Sequence, residues 1–157
     1  MSRHFRYVLS HVPTGVAVIA GAAPDGPAGL AVGTFTSISL DPPLVGFFCD
    51  RASTSWPPIR ETGGFCANVL AADQGDVSAR LARQGGRKFE GLAWSPAPFT
   101  GSPVLDGVLA WLDCRIEREV ELGDHVLVVG EPVELVVAGE GDPLVFFRGD
   151  YGARGPA

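Results

Sequence analysis

Gly29-Leu30-Ala31-Val32-Gly33-Thr34-Phe35-Thr36-Ser37-Ile38-Ser39-Leu40-Asp41-Pro42-Pro43 is the stretch that decides how this chain is read. It opens as an apolar strand, expected over Leu30 to Leu40. Four small hydroxyl residues, Thr34, Thr36, Ser37 and Ser39, stand among Phe35, Ile38 and Leu40, and a double proline stops the run. Hydroxyls and strand amides in this pattern can hydrogen-bond a planar polar ligand. They can equally bond to nearby backbone, as such side chains do in many strands and turns. The stretch alone leaves both readings open.

Downstream, Leu44 to Cys49 reads as another strand. Asp50-Arg51-Ala52-Ser53-Thr54-Ser55 follows, a hydroxyl cluster ahead of a helix expected to start near Pro57, since proline is tolerated in a first helical turn. Ser53, Thr54 and Ser55 are either ordinary caps or part of an anion site. Phe65 to Leu70 is an apolar run interrupted by Asn68. A buried asparagine must pair its amide, because an unpaired buried polar group costs roughly 1–3 kcal/mol. Asp73 to Gln84 reads as a helix capped by Asp73 or Asp76, with Val77 and Leu81 on one face and Gly85-Gly86 ending it. Arg80, Arg83, Arg87 and Lys88 then concentrate cations in an acidic chain, and Lys88 is its single lysine. They suit either the helix C-terminus or a phosphate.

On the amino-terminal side, Arg3 to His11 is expected to be a short helix with Phe5, Val8 and Leu9 on one face, ended by Pro13. Thr14-Gly15 turns into a strand over Val16 to Ala20. Gly21 to Gly29 reads as a turn-rich connection with Pro24 and Pro27. It lacks the Gly-x-Gly-x-x-Gly turn of a dinucleotide-binding fold, and no Walker-type loop occurs anywhere. Towards the other end, Gly91 to Gly107 is a long loop, expected to act as a lid or an edge cover. Leu112 to Leu122 alternates with period two. Leu112, Cys114, Ile116, Val120 and Leu122 are placed on one face, Asp113, Arg115, Glu117, Glu119 and Glu121 on the other. After a Gly123-Asp124 turn, His125 opens a strand over Val126 to Glu134, where Pro132 marks an edge or a bulge. Leu144 to Phe147 is the last expected strand, and residues after Gly152 are expected to fray.

The length of 157 residues suits one domain, 1–157. The 21 glycines and 13 prolines are spread among apolar runs and read as turn punctuation. A net charge of −6 disfavours nucleic acid or an anionic membrane surface as a partner. Cys49, Cys66 and Cys114 are far apart and form no Cys-x-x-Cys, so they read as buried small hydrophobes in a reducing cytosol. The chain starts without a signal-type apolar block, and no run reaches the ~18 apolar residues of a membrane span. A soluble cytoplasmic protein is therefore expected. No Gly-x-Ser-x-Gly elbow is present, and three scattered histidines lack ligand spacing, so no metal site is expected.

Taken in order, these motifs resemble the flavin reductase-like domain, the FMN-binding split-barrel reductases. The resemblance is carried by Thr14-Gly15-Val16, Gly29-Leu30-Ala31, Phe35 to Ser39 and Leu40 to Val45. It continues through the Ser53 to Ser55 cluster, the strand around Asn68, Arg87-Lys88-Phe89, Gly101-Ser102-Pro103 and Gly123-Asp124-His125, and ends in Pro143-Leu144 through Tyr151. It covers about Phe5 to Tyr151. Ala31 departs from a position where the family often has threonine, and Ala67 from one that is usually valine.

The resemblance implies a mainly β fold, an antiparallel Greek-key split β-barrel with a few short helices. It implies an NAD(P)H:flavin oxidoreductase with FMN or FAD as cofactor and NADH or NADPH as co-substrate. It also implies a homodimer with flavin near the interface, and it allows a role as the reductase component that supplies a monooxygenase. Flavin contacts are implied for Thr34, Phe35, Thr36, Ser37, Ser39, Ser53, Thr54, Ser55, Asn68, Arg87, Lys88 and Phe89, and nicotinamide contacts for His125 and Tyr151. No side chain is assigned a catalytic role, because the cofactor carries the redox step. Two other readings stay open: a flavin-binding electron-transfer or storage protein without efficient NAD(P)H oxidation, and a ligand-binding barrel that has lost flavin.

Overall fold

In the computed structural model, which describes residues 2–152, helix α1 (Ser2–Leu9) precedes a chain that is mostly strand. β1 (Thr14–Gly15), β2 (Ala17–Ala23), β3 (Gly26–Val32), β4 (Thr36–Leu40) and β5 (Pro43–Asp50) come first, then α2 (Trp56–Arg60). β6 (Gly64–Val69), α3 (Gly75–Leu81), β7 (Trp94–Pro96) and β8 (Pro103–Leu105) follow. The long hairpin β9 (Ala110–Leu122) and β10 (His125–Val137) leads to β11 (Val145–Phe147) and β12 (Asp150–Gly152). The expected fraying after Gly152 lies outside the described residues.

Seven strands form one antiparallel sheet in the order β3-β2-β6-β9-β10-β5-β4. The sheet curls until β3 comes alongside β5, which is not its neighbour in that order. There the barrel is held by a side chain rather than a ladder: the Phe48 amide donates to Thr34 Oγ1 at 2.9 Å. This is the mainly β, antiparallel split barrel that the resemblance implies.

Strand β2 shows why the sheet folds with both faces covered. Ala17 and Ile19 point into the barrel with Phe47, Trp56, Ile59, Phe65, Cys114 and Val128. Val16, Val18 and Ala20 point outward against Leu70, Leu81, Phe89, Leu105 and Leu144. Each large side chain so buried contributes roughly 1.5–3 kcal/mol. Inside, Phe47 meets Trp56 and Phe65 edge-on, with ring centroids 5.4 and 5.3 Å apart. The Cys49 and Cys114 thiols are buried, and desolvation pushes them up to about 11 and about 12, so both stay protonated.

Several sequence expectations are corrected. Gly21 to Gly29 is mostly strand, a β2–β3 hairpin with Ala22 opposite Pro27. Proline is tolerated there because β3 is an edge of the ladder. The strand expected over Leu30 to Leu40 is two strands, broken at 33–35 where the chain crosses from one end of the strand order to the other. Helix α3 spans Gly75–Leu81 and is capped by neither Asp73 nor Asp76. Gln74 occupies the cap position and braces it, accepting from the Ala71 amide and donating to the Asp106 carbonyl, each at 2.9 Å. The Gly91 to Gly107 loop contains the β7–β8 hairpin and covers the outer face of the sheet.

The even alternation over Leu112 to Leu122 also fails, in two places. Asp113, expected outside with the other charges, is completely buried under the covering loop. Between Ile116 and Arg118 the register slips by one, a β-bulge at Glu117 that exchanges the two faces. Beyond it Glu119 turns towards the Trp56 indole, which donates to it at 2.6 Å, while Val120 and Leu122 are left 37% and 49% exposed. The bulge expected at Pro132 is present, between Pro132 and Glu134.

Candidate functional site

The seam between β3 and β5 opens into a cleft of about 340 Å³. Leu30 to Val32 of β3, with Gly33 and Thr34 beyond it, form one wall, and Phe48 to Asp50 of β5 the other. Ser53, Ser55, the end of α3 with Arg83 and Gln84, Lys88 and His125 complete it. Every strand involved ends or breaks at this place, so backbone and polar side chains reach the cleft.

Lys88 carries the electrostatics. Its ammonium donates to Ser55 Oγ at 2.8 Å and to the carbonyls of Gly29 and Leu81, each at 3.0 Å. All three N–H donors are used, yet every acceptor is neutral. None of the ion pairs among the described residues includes Lys88. Partial burial holds its pKa below the ordinary value. A desolvated cation without an anion favours a negatively charged ligand.

The neighbouring loops are fixed by their own bonds. Ser53 Oγ accepts the Trp56 amide at 3.3 Å, and Asp50 accepts the Ala52 amide at 2.8 Å. The Arg51 amide donates to the Asp124 carbonyl at 3.0 Å, tying this loop to the β9–β10 turn. His125 Nδ1 lies 2.8 Å from Asp124 Oδ1. That hydrogen bond, and the charge of His125, hold the exposed Asp124 carboxyl below its usual range. With Nδ1 turned to this carboxylate, Nε2 is the ring nitrogen left for a ligand.

Of the residues assigned from the sequence, the cleft brings together Thr34, Ser53, Ser55, Lys88 and His125. Thr54 and Arg87 line a second cavity on the far side of Ser55 and Lys88, and Thr54 donates to Gln84 Oε1 at 2.9 Å. Tyr151 lines a small hollow that shares Ala31, Val32, Gly33 and Ala82 with the cleft. Its hydroxyl accepts from Ser78 at 3.0 Å.

The others are not in the cleft, for identifiable reasons. Phe35 packs against the barrel interior. Thr36, Ser37 and Ser39 lie on β4, at the far edge of the sheet. Phe89 is buried in the outer core, so close to Gly29 that a Cβ there would lie 2.8 Å from its ring. Asn68 is fully buried and spends its amide on backbone: it donates to the Val18 and Pro103 carbonyls at 3.3 and 3.1 Å and accepts from the Leu105 amide at 2.8 Å. Reading the sequence missed Gly33, Asp50 and Gln84 as cleft residues. Arg83 stood in the cation cluster, which was the signal available for it. Gly33 had none, since its requirement is a three-dimensional one: a Cβ would lie 2.8 Å from Thr14 Oγ1.

The sequence profile of the flavin reductase like domain matches residues 9–155. The chain belongs to the flavin reductase-like family. It is 48% identical over 149 residues to a flavin reductase of Pseudomonas putida, covering 94% of this chain and 87% of that protein. It is 43% identical over 151 residues to the flavin-dependent monooxygenase reductase subunit HsaB of Mycobacterium tuberculosis, covering 95% and 80%. Nitrilotriacetate monooxygenase component B from Mycobacterium thermoresistibile superposes with a TM-score of 0.93 at 39% identity, covering 99% of this chain and 90% of the other. No helix among the described residues is long and apolar enough to cross a membrane, and no cluster of side chains among them is arranged to hold a metal ion.

Proposed function

We propose that this chain is an NAD(P)H:flavin oxidoreductase that reduces FMN or FAD and releases the product to a flavin-dependent monooxygenase. The observation that carries the reading is Lys88, an unpaired cation beside Ser55 on the wall of a cleft that also holds Thr34, Ser53 and His125. That donor set fits a flavin phosphate. Its relatives include a reductase subunit of a monooxygenase and an NADH-dependent FMN reductase from Agrobacterium fabrum, 41% identical over 151 residues.

A bound flavin supplies the redox chemistry, accepting hydride from the reduced nicotinamide. The chain binds and orients. Lys88, Arg83, Ser53 and Ser55 would hold the phosphate by charge-assisted hydrogen bonds. Thr34 would offer its hydroxyl to the polar edge of the ring system. His125 Nε2 would hydrogen-bond the nicotinamide carboxamide and set its alignment, while Tyr151 borders the adjoining hollow. No side chain is required as acid or base.

A second copy of the chain completes the site. Ile38, Phe48, Val120 and Leu122 are 45%, 36%, 37% and 49% exposed. Phe48, Leu127 and Val120 sit in one register row across β5, β10 and β9. This apolar row includes a cleft residue, Phe48, so a homodimer covering it would close the cleft.

Steady-state oxidation of NADH and NADPH with added FMN or FAD tests the reading. Flavin-dependent turnover is expected, and its absence despite tight flavin binding would assign a storage or electron-transfer role. His125→Ala is expected to keep flavin affinity while raising the KM for the nicotinamide or slowing flavin reduction in rapid mixing, because misalignment costs rate. Wild-type saturation and limiting rate would remove His125 from the site.

A further inference from the structure

Helix α1 stands apart from both cores, and none of its residues is buried. Phe5, Val8 and Leu9 recur at i, i+3 and i+4. Val12, whose amide reaches back to the Leu9 carbonyl, continues them at i+7, so the four form one apolar stripe. All are exposed, between 47% and 58%. An eight-residue helix is marginal in water, because helices shorter than about 12–15 residues are held by packing of an apolar face. The stripe therefore calls for a surface. That surface is not on the same chain. Another side of the helix is fastened to the β11–β12 hairpin: the Arg148 amide donates to the Ser10 carbonyl at 2.9 Å, and the His11 ring meets Tyr7 and Phe147 edge-on, with centroids 5.0 and 6.4 Å away. Thr14 and Gly15 then join the β11 ladder. Pinned at this end, α1 holds its stripe outward.

The tip of the β9–β10 hairpin carries the matching pattern. Leu122 stands opposite His125, and Val120 opposite Leu127, which is in turn opposite Phe48, so these side chains share one face. Leu122, Val120 and Phe48 leave that face apolar and open, and the Asp124 carboxylate in the turn is 92% exposed. Arg3 and Arg6 flank the α1 stripe, and no ion pair among the described residues includes either. One patch is apolar with cations, the other apolar with an anion. After the hydrogen bond and the charge of His125, the charge of Arg6 also holds the Asp124 carboxyl down, so helix and tip lie on one side of the molecule. Two matching patches on one side of a chain meet twice when a two-fold axis relates two copies.

We propose that α1 is an intersubunit arm, which seats its stripe on the Val120–Leu122 face of a second copy and brings Arg6 to the partner subunit's Asp124. His125 and Phe48 belong to the face so covered, and both line the cleft. The arm of one copy therefore roofs the cleft of the other, and the site of a single chain is incomplete on that side. The apolar roof keeps water from the His125 edge of the cleft, where alignment of a bound nicotinamide matters most. The inference rests on the homodimer reading above. It adds which element closes the site from across the interface.

The test uses full chains. Phe5→Cys and Leu122→Cys, separately tagged, are mixed, allowed to exchange subunits and treated with a short bifunctional maleimide; the three native thiols are buried. A covalent heterodimer is expected, in excess of the product from either variant alone. Leu9→Asp strikes the interface once in each copy, so the dimer dissociation constant from sedimentation is expected to rise about 100-fold or more. NADH oxidation per chain by Leu9→Asp, with added FMN, is expected to fall on dilution and recover as protein concentration is raised. A defect confined to one chain does not depend on concentration. A Leu9→Asp protein with the wild-type dissociation constant overturns the inference. So does a cross-link that forms only within single chains carrying both cysteines, which returns α1 to its own hairpin tip. A wild type that is monomeric and fully active overturns the homodimer reading with it. A monomeric wild type that co-sediments with vesicles of phosphatidylglycerol and phosphatidylcholine overturns it too, and gives the stripe to an anionic lipid surface. A dimer that cross-links as expected but oxidises no NADH upholds the arm and overturns the flavin reading.

Discussion

Asp113 and Lys88 are both charges set into an apolar fold with no ion-pair partner among the described residues, and their surroundings differ in one respect. Asp113 lies under the covering loop, completely buried, and its carboxylate is met by the Phe99 amide at 2.7 Å, the Thr100 amide at 3.1 Å and the Thr100 hydroxyl at 2.5 Å. It pins the 99–100 turn of the covering loop to the outer face of β9 and lines neither of the two cavities around Lys88. Lys88 has three neutral partners as well, but it stands on the wall of two cavities. A sealed charge with its hydrogen bonds complete holds structure together. A charge with complete hydrogen bonds that still faces open space is set for a ligand. Asn68, sealed and fully bonded like Asp113, belongs with the first kind, and it ties β8 to the sheet in the same way.

The largest effect is expected at the sealed charge. Asp113→Ala removes the acceptor of two amides and one of the two partners of the Thr100 hydroxyl at a completely buried position, each group left unpaired costing about 1–3 kcal/mol. A loss of about 3 kcal/mol or more in unfolding free energy should appear as a lower denaturation midpoint. Flavin affinity of the folded protein should stay near that of the wild type. A drop in flavin affinity without a stability loss would put Asp113 on the ligand side and break the comparison.

Lys88 is expected to show the reverse. In Lys88→Met the Gly29 and Leu81 carbonyls lose a donor, but an unpaired ammonium is no longer desolvated, so stability should move by less than about 1.5 kcal/mol. Flavin affinity should fall about 10- to 100-fold, the equivalent of roughly 1.5–3 kcal/mol for a hydrogen bond to a charged group. The sign with pH follows from the lowered pKa. Below it, Lys88 is charged in both folded and unfolded states, and folding pays for its desolvation. As pH rises through the lowered value towards the ordinary 10.5, the folded state sheds its proton first. Stability attributable to Lys88 then rises while affinity for a phosphate falls. Lys88→Arg, always protonated, should hold its phosphate affinity through that window. Parallel pH profiles of flavin affinity in wild type and Lys88→Arg would separate Lys88 from the phosphate.

This contrast explains how much was legible in the chain. Most strand positions were readable from local apolar runs, but the strand expected over Leu30 to Leu40 ran through Thr34, where the chain in fact breaks. That Thr34, Ser53, Ser55, Lys88 and His125 come together was suggested by short motifs whose order resembles the family's, and they share one cleft. Asn68 and Phe89 carried the same motif signal but are consumed by packing, which a motif does not reveal. The bulge at Glu117 was hidden by a clean period-two pattern; only the partner strand's register shows the inserted residue. Asp113 looked like one more outward charge because the segment that covers it is 97–102, distant in the chain. The second cavity was equally illegible, as it joins the 25–29, 54–58 and 85–94 stretches.

The smallest expected effect concerns Ala31, on the open side of the comparison. It lines both the cleft and the adjoining hollow, at a position where the family often has threonine. Ala31 lies opposite Val18 in the β2–β3 ladder, so its backbone is fixed and a β-branched residue suits the strand. Ala31→Thr therefore adds one hydroxyl to the cleft wall with little strain. A neutral hydrogen bond contributes about 0.5–1.5 kcal/mol net, and a half-exposed one lies at the lower end. Flavin should bind about two- to threefold more tightly, with the denaturation midpoint nearly unchanged. The discriminating measurement is the FMN titration of Ala31→Thr beside Ala31→Val, which adds the same bulk without the hydroxyl. If valine gains as much as threonine, the effect is packing, and the position resembles the sealed region more than the open one. If threonine alone gains, the hydroxyl reaches ligand, and the cleft wall at β3 is part of the flavin site.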